Sequence, residues 1–433
     1  MVSEKIQRKR EDRTNSFSLS VQIPRKSRSK DRDNVFRDLN IIRAYALKNA
    51  VEHEGLADVG NVVPGLFNHG LKKEGVGKIM PLVKDVVAEI NGLSVEEQKV
   101  LFKKYEDLVG HRVEREGLHA LKVGRNGIVT RFSPSASGGF HIGHALTGSL
   151  SYVYFKKYGG KFYVRIEDTN PDNSFKDSYK MIKEDSKWLF DGDAEIVIQS
   201  ERMNLYYKYV EKLIKKGSAY VCECSSEEFK KFVEGKVDCG CRSSSVKENV
   251  LKWGQMLDKK GYEVGGAVLR FKSDMTDKNP AMRDFPLARI NLNKHPLQGK
   301  KYRVWPLMNL AVAVDDIEMK MTHIIRAKDH RDNALRQKMI FEVLGKKFPW
   351  TGFLGRIHFK DMVLSTSEMR NGVEDGKFSG WDDVKLPTLV SLRKRGYNPG
   401  AFWKFAEQIG LNEIDKKMDK KEFFLMLDGF NRG

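Results

Sequence analysis

Arg131-Phe-Ser-Pro-Ser-Ala-Ser-Gly-Gly-Phe140, running into His141-Ile142-Gly143-His144, decides how this chain reads. The apolar residues Ile128, Val129 and Phe132 predict a buried strand before the turn. Residues 145–157 predict a helix after it. A strand, a Gly/Ser-rich turn and a helix start together make an anion site, because free backbone N–H groups and the positive end of the helix dipole converge there. His141 and His144 add donors for phosphate oxygens. Gly143 removes a Cβ where a flat base or ribose must come close.

The pattern continues outward as alternating strands and helices, which predicts a parallel α/β sheet. Residues 161–167 read as a strand with Phe162, Val164 and Ile166 on one face, and 195–199 as another. Residues 202–216 read as an amphipathic helix. A segment of different character interrupts over 219–300. Alternation then resumes with a strand at 302–305, a helix at 307–314, a strand at 322–326 and a helix at 329–344. The fold class is therefore α/β: a Rossmann-like sheet with halves at 127–218 and 301–360, split by an α+β insertion. Ligands of such sheets sit beyond the carboxyl ends of the strands. Residues 133–144, 167–170 and 326–330 fall there.

Before the sheet, residues 39–109 show helical periodicity, with Ser94 and Glu97 spaced as a capping box. Residues 1–38, with basic clusters at 8–10 and 25–30, read as a disordered basic arm, and 110–126 as a linker. Residues 361–433 form a final, mostly helical region. The 433 residues carry a net charge of +19. That excess suits a polyanionic partner, although a solvated basic surface explains it equally well. No apolar stretch reaches spanning length and no signal-peptide core is present, so the expectation is a cytoplasmic protein without membrane contact.

The four cysteines, Cys222, Cys224, Cys239 and Cys241, fall within twenty residues. That is not the spread of a disulfide framework. Four thiolates close a tetrahedral structural zinc site; four reduced thiols in a loop are the alternative. The segment 225–238 between the pairs has few apolar residues, which favours a metal as its organiser.

Arg131-Phe-x-Pro-Ser-x-x-Gly-x-x-His-Ile-Gly-His resembles the glutamyl and glutaminyl members of the class I aminoacyl-tRNA synthetases. Val304-Trp-Pro306, Asp315-Asp316 and Thr322-His-Ile-Ile-Arg326-Ala-Lys-Asp-His330 resemble glutamyl-tRNA synthetases of archaeal type. The resemblance covers about residues 40–433. It implies ATP and Mg²⁺, L-glutamate, and tRNA for glutamate, with tRNA for glutamine as an additional substrate left open. It places the insertion on the acceptor end of tRNA, the region 361–433 on its stem, and Arg283 and Arg289 near RNA phosphates. Apart from the resemblance, the N-terminal helices read as a module for docking a protein partner. The resemblance also implies that the anticodon-reading C-terminal β-barrels are missing from this chain.

Residue by residue, it implies catalytic roles for His141, His144, Ser365 and Ser367. Ser135, Gly138, Gly143, Leu364 and Thr366 are the further expected ATP contacts. Arg131, Ser133, Glu167, Asn309 and Arg326 are the expected glutamate contacts, with Glu167 at the ammonium group. Arg131 offers a fork for a carboxylate, with a salt bridge as the alternative. A fixed guanidinium at Arg326 suits glutamate better than glutamine, with an ion pair to Asp329 or Glu167 as the alternative, and Glu167 reads alternatively as a helix cap or ion pair. Two departures stand out. Met308 replaces an aromatic hydroxyl of many bacterial relatives, with Asn309 as the substitute donor. In Val363-Leu-Ser-Thr-Ser367 the lysine usual at position 366 is a threonine, and Glu368 follows. The missing cation then comes from Lys360, Arg370 or Lys377, or is absent. Two rival functions are a glutamyl transferase acting on a tRNA base and a non-catalytic tRNA-binding scaffold.

Overall fold

The computed structural model describes residues 31–109, 117–362 and 364–432. They form two compact units, divided between Glu114 and Arg115. The expected arm lies outside the described residues up to position 30; from Asp31 the chain is helical, inside the stretch read as arm.

The first unit contains α1 (Asp31–Glu52), α2 (Val59–Leu66), α3 (Val76–Asn91) and α4 (Val95–Tyr105). Their apolar faces meet in one core of Ile42, Leu47, Val62, Val86 and Ile90. Ser94 and Glu97 close the expected capping box. Sequence periodicity does not reveal α2. Its Val-Gly-Asn-Val-Val-Pro-Gly-Leu composition is a poor helix former, and Asp58 starts it by accepting from the Gly60 N–H.

The second unit opens with β1 (Ile128–Phe132), α5 (Ile142–Tyr158), β2 (Gly160–Ile166), α6 (Ser178–Leu189), β3 (Glu195–Ile198) and α7 (Met203–Lys215). The three strands pair in parallel, β1 with β2 and β2 with β3. The insertion follows: β4 (Ala219–Cys222), α8 (Ser226–Gly235), α9 (Val246–Leu257), β5 (Val268–Phe271), β6 (Pro286–Ile290) and β7 (Val304–Pro306). Its strands form an antiparallel sheet in the order β4-β5-β6-β7. This corrects the sequence reading at 302–305. Those residues complete the insertion's sheet, with Arg289 opposite Trp305, instead of beginning the second half of the parallel sheet. A short apolar strand looks the same from sequence whichever sheet it joins.

The parallel sheet resumes after α10 (Met308–Glu318) with β8 (His323–Ala327), α11 (Arg331–Val343) and β9 (Trp350–Leu354), and β8 pairs with β9 in parallel. Thr322 docks β8 beside β1: its N–H donates to the Val129 carbonyl at 2.9 Å, and its Oγ1 accepts from the Val129 N–H at 2.8 Å. The three-stranded β1-β2-β3 sheet and the two-stranded β8-β9 sheet are thus joined at the β1 edge through Thr322 and Val129, and the chain order switches sides there, where the motif loop leaves β1. The chain ends with β10 (Ile357–Phe359), α12 (Thr366–Glu374), α13 (Leu389–Lys394), α14 (Pro399–Ile409), β11 (Lys416–Met418) and α15 (Lys420–Arg432). Phe402, Phe405 and Phe423 of this last part share a core with Phe140, Phe162 and Phe190 of the sheet layer. No described helix is long and apolar enough to cross a membrane.

Candidate active site

The motif loop leaves β1 and enters α5 at His141, the N-cap residue. His141 Nδ1 accepts from the Gly143 N–H at 3.0 Å, and His144 Nδ1 accepts from the His141 N–H at 3.4 Å. The two rings stack with centroids 3.8 Å apart. Burial drops His144 to about 4. Burial, with His144 as neighbour, drives His141 well below its ordinary value too. Both imidazoles are therefore neutral at physiological pH. With Nδ1 accepting on each, the proton sits on Nε2 and is free to donate.

The loop is held from three sides. The Glu167 N–H donates to the Pro134 carbonyl and the Phe175 N–H to the Ala136 carbonyl, at 2.9 and 2.7 Å. Buried Asp185 accepts from the Phe140 N–H at 2.8 Å and from Arg393 at 3.1 Å. The Ile142 N–H reaches the Pro387 carbonyl at 3.0 Å. Gly138 is required by what lies above it. A Cβ there would sit 2.4 Å from the Thr366 methyl and 2.5 Å from the Trp381 ring. Leu364 closes over Gly143, 3.4 Å from where its Cβ would be. The two expected ATP segments, far apart in sequence, thus meet.

Beside them lies a cavity of about 500 Å³, lined by His141, Gly143, Thr147, Arg356, His358 and Leu364 among others. Ser135 and Gly138 sit on the loop but do not line this cavity; the Ser135 and Ser137 hydroxyls bond each other at 2.9 Å. Ser365 caps α12, its Oγ accepting from the Glu368 N–H at 3.3 Å, and Thr366 and Ser367 form the helix's first turn. Ser367 is exposed. Val363 lies outside the described residues.

Of the expected glutamate contacts, Arg131, Ser133, Glu167 and Arg326 gather at the ends of β1, β2 and β8, whereas Asn309 lies on α10, and Arg131 needs a correction. Arg131 is 3% exposed and Asp316 1%. Its Nε and Nη2 donate to the Asp316 carboxylate at 2.7 and 2.9 Å, and its Nη1 to Ser133 at 2.8 Å. Its fork is therefore spent on a buried acid, the salt-bridge alternative, because a desolvated guanidinium needs a counter-charge. Ser133 anchors the remaining edge. Burial opposes ionisation of Asp316, but Arg131 and Arg165 outweigh it and hold the carboxyl at about 2.

Arg165 is fully buried and ties the cluster together. It reaches Asp316 at 2.6 Å and Glu167 at 3.0 Å. Glu167 is pulled into place through one oxygen and stays partly open to solvent. Asp315 braces the network from behind, accepting from Gln199, Arg202 and Tyr206. Sequence reasoning missed the roles of Arg165, Asp315 and Asp316. Paired charges in an otherwise apolar strand and helix were the available signal.

Arg326 differs from every other arginine of this cluster. It is 8% exposed, and among the described residues it makes no ion pair. Nη1 donates to Gln337 Oε1 at 2.9 Å, and Nε has no partner. Burial, then repulsion from Arg131, pulls it down to about 10. Gln337 turns its amide N–H to Asn309 at 3.2 Å. Asn309 is thereby buried behind Arg326 and orients it through Gln337.

In the insertion, the four cysteine sulfurs lie within 4.8 Å of one another, with Cys222–Cys239 and Cys224–Cys241 each at 3.9 Å. A tetrahedral ion with bonds of about 2.3 Å sets its sulfurs about 3.8 Å apart. The donors fit zinc. Arg283 is a correction: it is 6% exposed and donates to the Asp277 and Val233 carbonyls, so it is a structural brace with no face toward RNA. Arg289 is held by Asn170 and Asp172.

Residues 127–427 match the family described as tRNA synthetases class I (E and Q), catalytic domain. The glutamate–tRNA ligase of Methanocaldococcus jannaschii is 40% identical over 385 residues, covering 88% of this chain and 69% of that protein. The glutamate–tRNA ligase of Pyrococcus furiosus is 42% identical over 386 residues, covering 86% and 67%. This chain spans about two thirds of the length of these relatives. Among solved structures, the glutamate–tRNA synthetase of Elizabethkingia anophelis superposes with a TM-score of 0.51 at 21% identity, covering 69% of this chain and 70% of that one, and so shares the fold.

Proposed function

The chain belongs to the glutamate–tRNA ligases among the class I tRNA synthetases for glutamate and glutamine, and from that premise we propose how its own residues carry the reaction. Class I synthetases use ATP and Mg²⁺. A glutamate α-carboxylate oxygen attacks the α-phosphorus, the α–β bridging P–O bond breaks, and its electron pair leaves with pyrophosphate. Positioning and charge stabilisation supply most of the rate in such a transfer. The adenosine occupies the cavity between Gly143, Arg356 and Leu364. The neutral Nε2–H groups of His141 and His144 donate to phosphate oxygens, and the N-terminus of α5 adds its dipole. The acyl group then passes to the 3′ end of tRNA.

The observation that carries the substrate assignment is Arg326, a buried guanidinium with an orphan Nε that, among the described residues, makes no direct ion pair, Asp316 and Glu167 acting on it only from a distance. A side-chain carboxylate satisfies it; a neutral amide leaves the charge uncompensated. Glu167, partly open to solvent beside Arg165, takes the ammonium. Arg131 acts through Ser133 and Asp316 as the floor of the site.

The cysteine quartet, when it holds zinc, fixes the fold of the segment 222–241; catalysis does not pass through it. The helical unit presents Leu56 and Val100 to solvent, 67% and 62% exposed, as a surface for a protein partner. The deciding assay is aminoacylation by the purified chain with tRNA for glutamate and, separately, for glutamine. Charging of the first with glutamate supports the proposal, charging of both defines a non-discriminating enzyme, and charging of neither refutes it.

A further inference from the structure

We propose that Arg370 supplies the cation that meets the leaving pyrophosphate, a role that rests on the reaction just described. The assignment follows from which face of α12 turns toward the motif loop. Residues three and four apart share a helix face. Thr366, Met369, Arg370 and Val373 are buried or half-buried, whereas Ser367, Glu368 and Asn371 are exposed. Thr366 is fixed over the loop, its methyl 2.4 Å from where a Gly138 Cβ would be. Arg370 lies one turn farther along the same face. Its guanidinium stands 5.8 Å from the Phe175 ring centroid, and the Phe175 N–H is bonded to the Ala136 carbonyl of the loop at 2.7 Å. The acidic Glu368 that follows Ser367 faces away, so it does not offset this charge.

The guanidinium is also available. Its ion pair among the described residues is with Glu374 at 3.9 Å, an i,i+4 contact at the limit of reach to an exposed carboxylate, and such pairs hold weakly. The competing cations are placed elsewhere. Arg356 is paired with Asp329. Lys377 is exposed, its ammonium 5.6 Å from the Phe378 ring centroid. Lys360 is exposed on the strand side of the loop. The Arg370 guanidinium stands beside Phe175, whose backbone holds the motif loop at Ala136, and in this proposal it extends from there toward the β- and γ-phosphates. In the transition state it stabilises the charge that accumulates as the P–O bond breaks.

The test is glutamate- and tRNA-dependent ATP–pyrophosphate exchange by the whole chain, with R370Q, R370K and K377A. R370Q should lower kcat about 100-fold or more, leave KM for glutamate within about twofold, and keep the wild-type melting temperature. R370K should recover part of the loss, because a shorter point charge still neutralises phosphate. K377A should behave as wild type. The double variant T366K/R370Q should regain at least about tenfold over R370Q, since a lysine at 366 enters the same space above Gly138. An active wild type with R370Q within about threefold of it overturns this inference and leaves the proposed function standing. So does a loss in R370Q that neither R370K nor T366K relieves. A wild type without exchange overturns both.

Discussion

Replacing Arg326 with glutamine should make the unliganded protein more stable and the enzyme much worse. The native guanidinium drops from its ordinary 12.5 to about 10, chiefly through burial. A base whose folded value is depressed is destabilising while it stays charged, so the penalty applies at every working pH. Its size is on the order of 3 kcal/mol. Glutamine is shorter, uncharged and able to bond Gln337, so it removes the buried charge while keeping most of that hydrogen bond. Poorer packing returns about 1–2 kcal/mol of the gain. The net is about 1–2 kcal/mol of added stability, a rise of roughly 2–4 °C in melting temperature. Loss of the charge-assisted contact to the glutamate side chain should cost about 3–4 kcal/mol in kcat/KM, between about 100- and 1000-fold. Thermal denaturation with and without glutamate, alongside pyrophosphate exchange, reads both effects. Glutamate should raise the melting temperature of the wild type and not of R326Q. A variant that melts several degrees lower, or that keeps its kcat/KM for glutamate within tenfold, would refute the picture of an unpaired cation awaiting an anionic ligand.

Gly138→Ala should displace Thr366 and Trp381, since the new Cβ enters within 2.4 and 2.5 Å of them; exchange should fall about 10- to 100-fold, chiefly in kcat, while the circular dichroism spectrum is unchanged. Asp316→Asn should cost about 3–5 kcal/mol in urea unfolding, because it strands Arg131 and Arg165 without a counter-charge. The same carboxyl, held at about 2 against an ordinary 3.8, contributes stability that is complete above about pH 4 and lost as pH falls toward 2, which acid denaturation of wild type against D316N will show. Because His141 and His144 both ionise well below neutrality, neither should impose an inflection on the exchange rate between pH 6 and 8. Prolonged chelation, or Cys239→Ser, should release about one equivalent of zinc by mass spectrometry and make the segment 222–241 sensitive to protease, whereas a metal-free wild type with the same resistance would rule out a structural ion.

The sequence was most legible where local physics is strongest. The Ser94–Glu97 capping box, the strand–turn–helix at His141 and the alternation around it are fixed by side chains a few residues apart, and they stand where periodicity put them. The cysteine spacing likewise brought four sulfurs into one cluster. Local pattern thus sufficed for most element types, for the split of the sheet and for the motif residues, but not for α2 or for the buried charges Arg165, Asp315 and Asp316. Tertiary structure decided what those residues do with one another. Whether a buried arginine binds a substrate or an acid of its own depends on partners far along the chain: Arg131 found Asp316, whereas Arg326 found an amide. Val304–Pro306 joined the insertion's sheet by pairing antiparallel with β6, a partner that a short apolar strand does not name. Gly138 matters because Thr366 and Trp381 return over it. Counter-charge, strand pairing and close packing act across long sequence separations, where no local pattern records them.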